Sequence, residues 1–482
     1  MKIKAAAGLL VGALAGGLAA AWLGPRWRPT DLPESLGRLP PKTTIRPANS
    51  ITQPADPGPG SNAQPKPAHP IIKQLVRLRL AGETTVCEIT RPDIAGRCPA
   101  VVFAHGAGTG NHTAFMEQAH TLAQRGIASL VPDRHKAGYS ATHRNYAAMS
   151  DQYAELANWA RQQDWVDPGA VGYWGESEGA WMTPAAATQD LQCAFMVLIS
   201  APTVPPREQA IFSTVAFLEN TAAPAPFVHV VPRLLGGPIP AGAFKYADWQ
   251  IDKHLRNLTC PVFMGFGTGD SAIPLIQGPV MLRQWLGQER LTVRYYNANH
   301  GLRSGDSQRV DAVFLNDLAD WLLGLPATAQ TSQPIAGAAP TQKFWISPPA
   351  AVPWFGRLAV QGGLAVGSLV LAGLGLACLQ RLPRRLRQPF GLMIGQALAA
   401  VFGFAGYLVH LAKLTTSYQQ NHLIVQGGYW LLRALSVGCF RSGWRLWRGL
   451  ATSSSAASGK DLTPGQAKVL VSGTLGAIGL LS

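Results

Sequence analysis

Ala170-Val-Gly-Tyr-Trp174-Gly175-Glu176-Ser177-Glu178-Gly179-Ala180-Trp-Met-Thr-Pro-Ala-Ala-Ala-Thr188 is the stretch from which the rest of the chain can be read. Its first five residues are apolar and read as a buried strand. Its last nine are small and compatible with a helix. Between them lies Gly-x-Ser-x-Gly. In a chain with 51 glycines that pattern is weak evidence when it stands alone. Its setting makes it specific. A strand, a tight turn and a helix form a nucleophile elbow, which lifts a serine hydroxyl above the edge of a sheet. Glycine on both sides lets the turn close without a Cβ clash. Ser177 is therefore the candidate nucleophile.

Working outward, short apolar runs recur at Ala100–Ala104, Ile127–Val131, Val171–Trp174, Phe195–Ile199, Val262–Phe266 and Leu291–Tyr296. Runs of this kind are buried on both faces of a parallel sheet. Helical stretches separate them at His112–Gln124, Tyr146–Gln163 and Gly278–Leu286. Ile71–Leu80 and Thr84–Thr90 alternate in the manner of an antiparallel pair. Strands alternating with helices imply βαβ units. The expected class is thus α/β, with a mostly parallel sheet of about eight strands over residues 71–325. The interval Thr203–Asn257 breaks the alternation with prolines and aromatics and reads as a cap inserted over the sheet.

A serine hydroxyl needs a base, and the base needs an acid to orient it. In this architecture they follow in the order Ser, Asp/Glu, His. Asp270 stands just after the run Val262–Phe266, and His300 just after Leu291–Tyr296. Both fall on the sheet edge that carries Ser177. Asp306 is the competing carboxylate, less well placed beyond His300. The oxyanion formed on attack needs two N–H donors. The amide of Glu178 and that of Ala107, in the loop His105-Gly-Ala-Gly-Thr-Gly110, are the candidates. That loop lacks the Gly-Lys-Ser/Thr of a phosphate loop and the spacing of a dinucleotide fingerprint. Trp181 and His105 are the candidate substrate-binding residues, with core packing the alternative for Trp181 and Trp174. Arg134 and His135 face either substrate or a local ion pair. Glu176 either disfavours anionic substrates or pairs with an arginine. No metal or organic cofactor is required by this set.

On these residues the region 71–325 resembles an α/β-hydrolase of the dienelactone-hydrolase and prolyl-oligopeptidase-like type. The matching elements are His105-Gly-Ala-Gly, Pro132-Asp-Arg134 with Gly138-Tyr-Ser140, Asp167-Pro168, Gly175–Gly179, Cys260-Pro261, Gly269-Asp270 and His300-Gly301. The resemblance implies a Ser177 nucleophile, an Asp270 acid and a His300 base. The pattern departs at Glu176, where an uncharged residue is more usual, and at Ala180, where a second glycine is common. Carboxylic ester or thioester hydrolysis is the expected activity. The alternatives are a serine peptidase and a membrane protein whose hydrolase-like domain only binds. The 70 residues before this region are too short for the substrate filter of an oligopeptidase.

The flanks differ in texture. The chain carries 41 Lys+Arg against 26 Asp+Glu, a net charge of +15, yet only 14% of its residues are charged. Between 341 and 460 there are twelve Lys/Arg and no Asp/Glu. The positive charge thus punctuates apolar runs outside the α/β region, which argues against a nucleic-acid partner. Residues 1–24 read as a membrane anchor or signal peptide. Residues 25–70 read as a proline-rich tether and 326–353 as a linker. In 354–482, membrane spans are expected at about 358–380 and 388–412, with weaker ones at 423–440 and 469–482. Arg433 near the middle of the third makes it costly in lipid. Four arginines in the short loop Arg381–Arg387 mark it as cytoplasmic, so the α/β domain is expected outside the cytoplasm. The expected partners are a small ester or acyl substrate and the lipid bilayer. Six cysteines are too few and too scattered for a disulfide scaffold, although Cys87 and Cys98 are a possible pair in an oxidising compartment.

Overall fold

Alternation within each strand sends successive side chains to opposite faces. In the computed structural model this builds a three-layer domain. The structure describes residues 68–455 except 109, 224–227, 229–234, 236–243, 306–307, 330–334, 347, 349–353, 355–357 and 417–420, together with 466, 470 and 474. The expected anchor, most of the tether, Asp306 and most of the weak fourth span therefore lie outside the described residues. Two compact units result. Among the described residues, one joins 68–212 with those of Gly242–Pro348, and the other joins those of Ser213–Ala241 with those of Pro349–Ser482.

The first unit is an α/β-hydrolase-like fold. Its strands are β1 (Ile71–Leu80), β2 (Glu83–Pro92), β3 (Cys98–Ala104), β4 (Ala128–Pro132), β5 (Val166–Glu176), β6 (Met196–Ile199), β7 (Val262–Gly267) and β8 (Leu291–Tyr296). A two-residue pair follows, β9 (Arg303–Ser304) with β10 (Arg309–Val310), and then β11 (Ile335–Gly337). The main sheet has nine strands in the order β1-β2-β4-β3-β5-β6-β7-β8-β11. Only β1–β2 and β2–β4 are antiparallel. The other pairs run parallel.

Ala100, Val102, Tyr173, Met196, Leu198, Val262 and Met264 point to one face. There they meet α2 (Tyr146–Arg161), α3 (Thr183–Gln189), α5 (Ile251–Leu255) and α6 (Gln277–Leu286). Val101, Phe103, Trp174, Val197, Ile199 and Phe263 point to the other face. They meet Leu122 of α1 (Met116–Gln124) and Phe314, Leu318 and Trp321 of α7 (Ala312–Leu323). Trp174 is fully buried, and its ring stacks 4.8 Å from that of Phe103.

Two sequence expectations are corrected, and one open alternative is decided. The expected linker 326–353 contains β11, a ninth strand too short to show a period. Beyond it Gln342 accepts from the amides of Ile276 (2.7 Å) and Gln277 (3.0 Å). Gln277 in turn exchanges hydrogen bonds with Ile346, so this unit runs on to Pro348. The expected cap is divided between the units. It opens with α4 (Pro206–Asn220); Phe212 packs on Phe344 of the first unit at 5.0 Å. Phe217 and Leu218 join the second unit instead, with Tyr407, Leu411, Leu414, Val425 and Tyr429. Lastly, Cys87 and Cys98 do not face each other. The thiol of Cys98 donates to the Trp165 carbonyl (3.4 Å), and that of Cys87 turns to the Glu88 carbonyl (3.8 Å).

The second unit is helical: α8 (Leu358–Ala377), α9 (Arg384–Thr416) and α10 (His422–Ser455). The stretch 423–440, expected to be the weaker span, lies within a continuous 34-residue helix. Arg433 is accommodated by donating to the Tyr429 hydroxyl at 2.6 Å. Tyr407 donates to the Val425 carbonyl (2.7 Å), and Ser442 to Gln396 (3.0 Å), tying α9 to α10.

Candidate active site

Register decides which residues meet. Ala104 pairs with Gly175, Glu176 with Ile199, Ile199 with Gly265, and Gly267 with Tyr296. The carboxyl ends of β3, β5, β6, β7 and β8 therefore stand side by side. The segments just beyond them carry His105–Ala107, Ser177, Ser200, Asp270 and His300.

Ser177 begins a 3-10 turn (Ser177–Trp181) directly after β5. Its φ of 50° lies in the left-handed region, which a non-glycine residue occupies only at a cost. A Cβ at Gly175 would strike Thr183 Oγ1 and come within 2.9 Å of the Ala180 Cα. One at Gly179 would strike the Ala104 carbonyl. Glycine is thus required on both sides of the serine, as the motif implied. Gly179→Ala is expected to cost about 1–3 kcal/mol through overpacking, read as a drop of several degrees in Tm. An unchanged Tm would show that the turn is not packed in this way.

Asp270 and His300 meet directly. The His300 Nδ1–H donates to Asp270 Oδ2 at 2.7 Å. The carboxylate is completely buried, while the imidazole keeps 17% of its surface exposed. Asp270 Oδ1 accepts from the Ala272 amide at 2.8 Å. The two loops are joined by backbone bonds, Thr268 N–H to Tyr296 O (2.8 Å) and Gly269 N–H to Ala298 O (3.0 Å). Nδ1 therefore carries a proton, which leaves Nε2 as the basic nitrogen. Burial opposes charge on the ring, but Asp270 and then Glu176 together outweigh it, so the imidazole pKa stands above 6.5.

Ser200 is a member of this site that sequence reading did not find. It follows β6, is wholly buried, has φ 45°, and donates to the His300 carbonyl at 2.6 Å. Nothing near it in sequence marks it.

Glu176 adjoins this group. Burial raises its pKa to about 7, against the opposing pull of His300 and Arg303. A base must be neutral to accept a proton, so activity is lost as pH falls through the His300 pKa. A negative charge at Glu176 helps hold the proton on His300. Glu176→Gln therefore lowers that pKa, and the acid limb of kcat/KM is expected to move down by up to about one pH unit. A pH–rate series on both forms checks this, and a limb that stays in place contradicts the coupling.

The loop after β3 lies against the elbow. A Cβ on Gly106 would be 3.4 Å from both the Ser177 Cβ and the Glu176 carbonyl. His105 and Gly106 are buried while Ala107 is exposed. Glu178 lies in the first turn of the 3-10 segment, where N–H groups lack intrahelical acceptors. Beneath both runs Arg134, 5% exposed. Its guanidinium donates to the Gly106 carbonyl and to that of His105 (3.3 Å), and approaches Glu178 Oε2 at 3.4 Å. The buried Glu178 carboxylate also accepts from Arg144, Tyr139 (2.6 Å) and Tyr146 (3.0 Å). Arg134 is thus a local pairing partner.

Two expected substrate contacts are corrected. His105 is completely buried and stacked 5.4 Å from the Phe115 ring, and its Nε2–H donates to the Pro132 carbonyl at 2.6 Å. Burial lowers its pKa to about 4, so it is a neutral structural histidine. Trp181 is 8% exposed, donates to the Val204 carbonyl (2.9 Å) and packs on Tyr146. Its ring belongs to the core.

Residues 113–325 match the prolyl oligopeptidase family. No curated protein matches the sequence. Among solved structures, a cold-adapted esterase from an Arctic intertidal metagenomic library is 17% identical, with 54% of this chain and 97% of the other covered and a TM-score of 0.35. The 2,6-dihydroxy-pseudo-oxynicotine hydrolase is 16% identical over 57% of this chain and 72% of its own, with a TM-score of 0.38. A hyperthermophilic esterase from Pyrobaculum calidifontis is 18% identical over 54% of this chain and 85% of its own, with a TM-score of 0.40. The family match and the strand order agree on an α/β-hydrolase-like fold for this region.

Proposed function

We propose that the chain is a membrane-anchored serine hydrolase that cleaves carboxylic esters or thioesters through an acyl-enzyme, with its catalytic unit outside the cytoplasm. Ser177 attacks the carbonyl, His300 Nε2 takes the hydroxyl proton and returns it to the leaving group, and Asp270 holds the imidazole tautomer. The amides of Ala107 and Glu178 stabilise the tetrahedral oxyanion. Water then attacks the acyl-enzyme, with His300 again as base. One observation carries the reading: a buried carboxylate bonded to an imidazole at 2.7 Å, on the same sheet rim as a serine held at positive φ.

The membrane part rests on α9 and α10. Each contains a stretch long and apolar enough to cross a bilayer, Arg384–Leu411 and His422–Leu446. The core helix of a soluble protein would bury such a stretch. Here Phe402, Val409, Val437 and Phe440 stay more than 60% exposed, which suits contact with hydrocarbon. The four arginines before and within the start of α9 support the cytoplasmic side for that end, so the placement of the catalytic unit outside requires α8, which carries the expected span 358–380, to cross as well.

A panel of p-nitrophenyl esters against aminoacyl-anilides tests the substrate class. The proposal expects kcat/KM on the best ester to exceed that on the best anilide by at least about a hundredfold. Anilides cleaved as well as or better than esters would make the chain a peptidase.

A further inference from the structure

We propose that Cys193 and Cys260 are a disulfide-forming pair that closes the base of the long segment between β6 and β7. Their sulfurs stand 3.5 Å apart although 67 residues separate them in the chain. Cys193 lies three residues before β6 and Cys260 two residues before β7. The adjacent parallel register, beginning Met196↔Val262, brings the two approaches together. The segment they enclose is the longest excursion between neighbouring strands of the sheet. It includes α4, whose second half joins the helical unit.

Of the other thiols among the described residues, Cys378 packs against the core of the helical unit, far along the chain from this pair. Cys87 and Cys98 face different carbonyls, and Cys439 donates to the Met393 carbonyl at 3.3 Å. The Cys193–Cys260 sulfurs need to approach by about 1.5 Å to reach bonding distance. Cys193 is half-buried and Cys260 only 5% exposed, so Cys193 is the residue of the pair more open to an external oxidant.

Chemically, Cys193, whose thiol the Cys260 sulfur and burial hold well above its ordinary pKa, attacks a small-molecule or protein disulfide through the small ionised fraction and releases one thiol. Cys260 then displaces the second thiol from the mixed disulfide. Two electrons pass from the cysteine sulfurs to the oxidant, and its two released thiols take up the two protons. The bond would pin β6 to β7 at the end opposite Ser200 and Asp270. It would thereby hold the register that aligns those two residues. Closure of the pair depends only on the geometry. Its presence in cells also rests on the proposed extracytoplasmic placement, because such compartments keep disulfides oxidised.

The test uses the purified full-length protein in detergent, reduced and then exposed to glutathione disulfide. Free thiols are alkylated and peptides analysed by mass spectrometry. A linked peptide pair containing Cys193 and Cys260 is expected, absent in Cys193→Ser and in Cys260→Ser. Reducing the linked form is expected to lower its Tm by roughly 5–10 °C. The double variant should show no such response. Both cysteines remaining alkylatable, or each carrying glutathione without a link, would overturn the proposal. Alkylation in intact cells separates the two readings: closure in vitro with both thiols reduced in cells supports the pair and refutes the placement.

Discussion

His300→Ala is expected to lower kcat for ester hydrolysis by about four orders of magnitude, with far-ultraviolet circular dichroism unchanged. The ring is 17% exposed, but its removal leaves the buried Asp270 carboxylate without its imidazole partner, so kcat is read well below the variant's Tm. What disappears is the acceptor for the serine proton. Asp270→Asn should fall almost as far, since an amide at Oδ2 cannot accept from Nδ1–H in the same way and the favoured tautomer changes. The two losses should not add, because the residues act as a unit. Doubling the free-energy loss in the paired variant would indicate two independent roles and contradict the triad. The acid limb of the wild-type pH profile should lie above 6.5, the ordinary value for histidine, because Asp270 and Glu176 together outweigh burial.

The second large effect is expected at Arg134, through positioning. Its guanidinium holds the carbonyls of His105 and Gly106 from below and also approaches the Glu178 carboxylate. Those are the two runs of backbone that carry the proposed oxyanion donors. Arg134→Ala should therefore lower kcat by about 10²–10³, the loss typical of one misplaced oxyanion donor, while KM changes little. Removing one partner of a buried pair also costs about 3–5 kcal/mol of stability, so the assay belongs well below the variant's Tm. Arg134→Lys keeps the charge but not the fork and should recover only part of the rate. A variant that loses stability but retains its kcat would reduce Arg134 to a fold-stabilising residue.

The elements legible in the sequence were those with local signatures. Strands such as Val262–Gly267 and Leu291–Tyr296 are apolar runs bounded by turn residues, and the elbow announces itself through Gly175 and Gly179. Asp270 and His300 followed from chain order at strand ends, and the structure bonds them. What escaped has no local signature. Ser200 matters because it meets the His300 carbonyl 100 residues away. Arg134 was visible, but its partner Glu178 was not, since the pairing depends on how β4 and β5 flank β3. His105 looked accessible beside three glycines, yet the Phe115 ring and the Pro132 carbonyl enclose it. The insertion between β6 and β7 has the sequence texture of a single cap. Its division reflects contacts across some 200 residues, such as His422 Nδ1 to the Thr221 carbonyl at 3.2 Å. Cys87 and Cys98 are close in sequence, whereas the sulfurs that approach each other are set by the pairing of β6 with β7.

A fluorophosphonate reacts with an activated serine and leaves a phosphonyl group on its oxygen, so the modified residue can be read directly. Peptide mass spectrometry of the labelled full-length protein should place one adduct on Ser177. Labelling should slow sharply in His300→Ala and vanish in Ser177→Ala. An adduct on another residue, or labelling of Ser177→Ala at the unmodified protein's rate, would contradict the account.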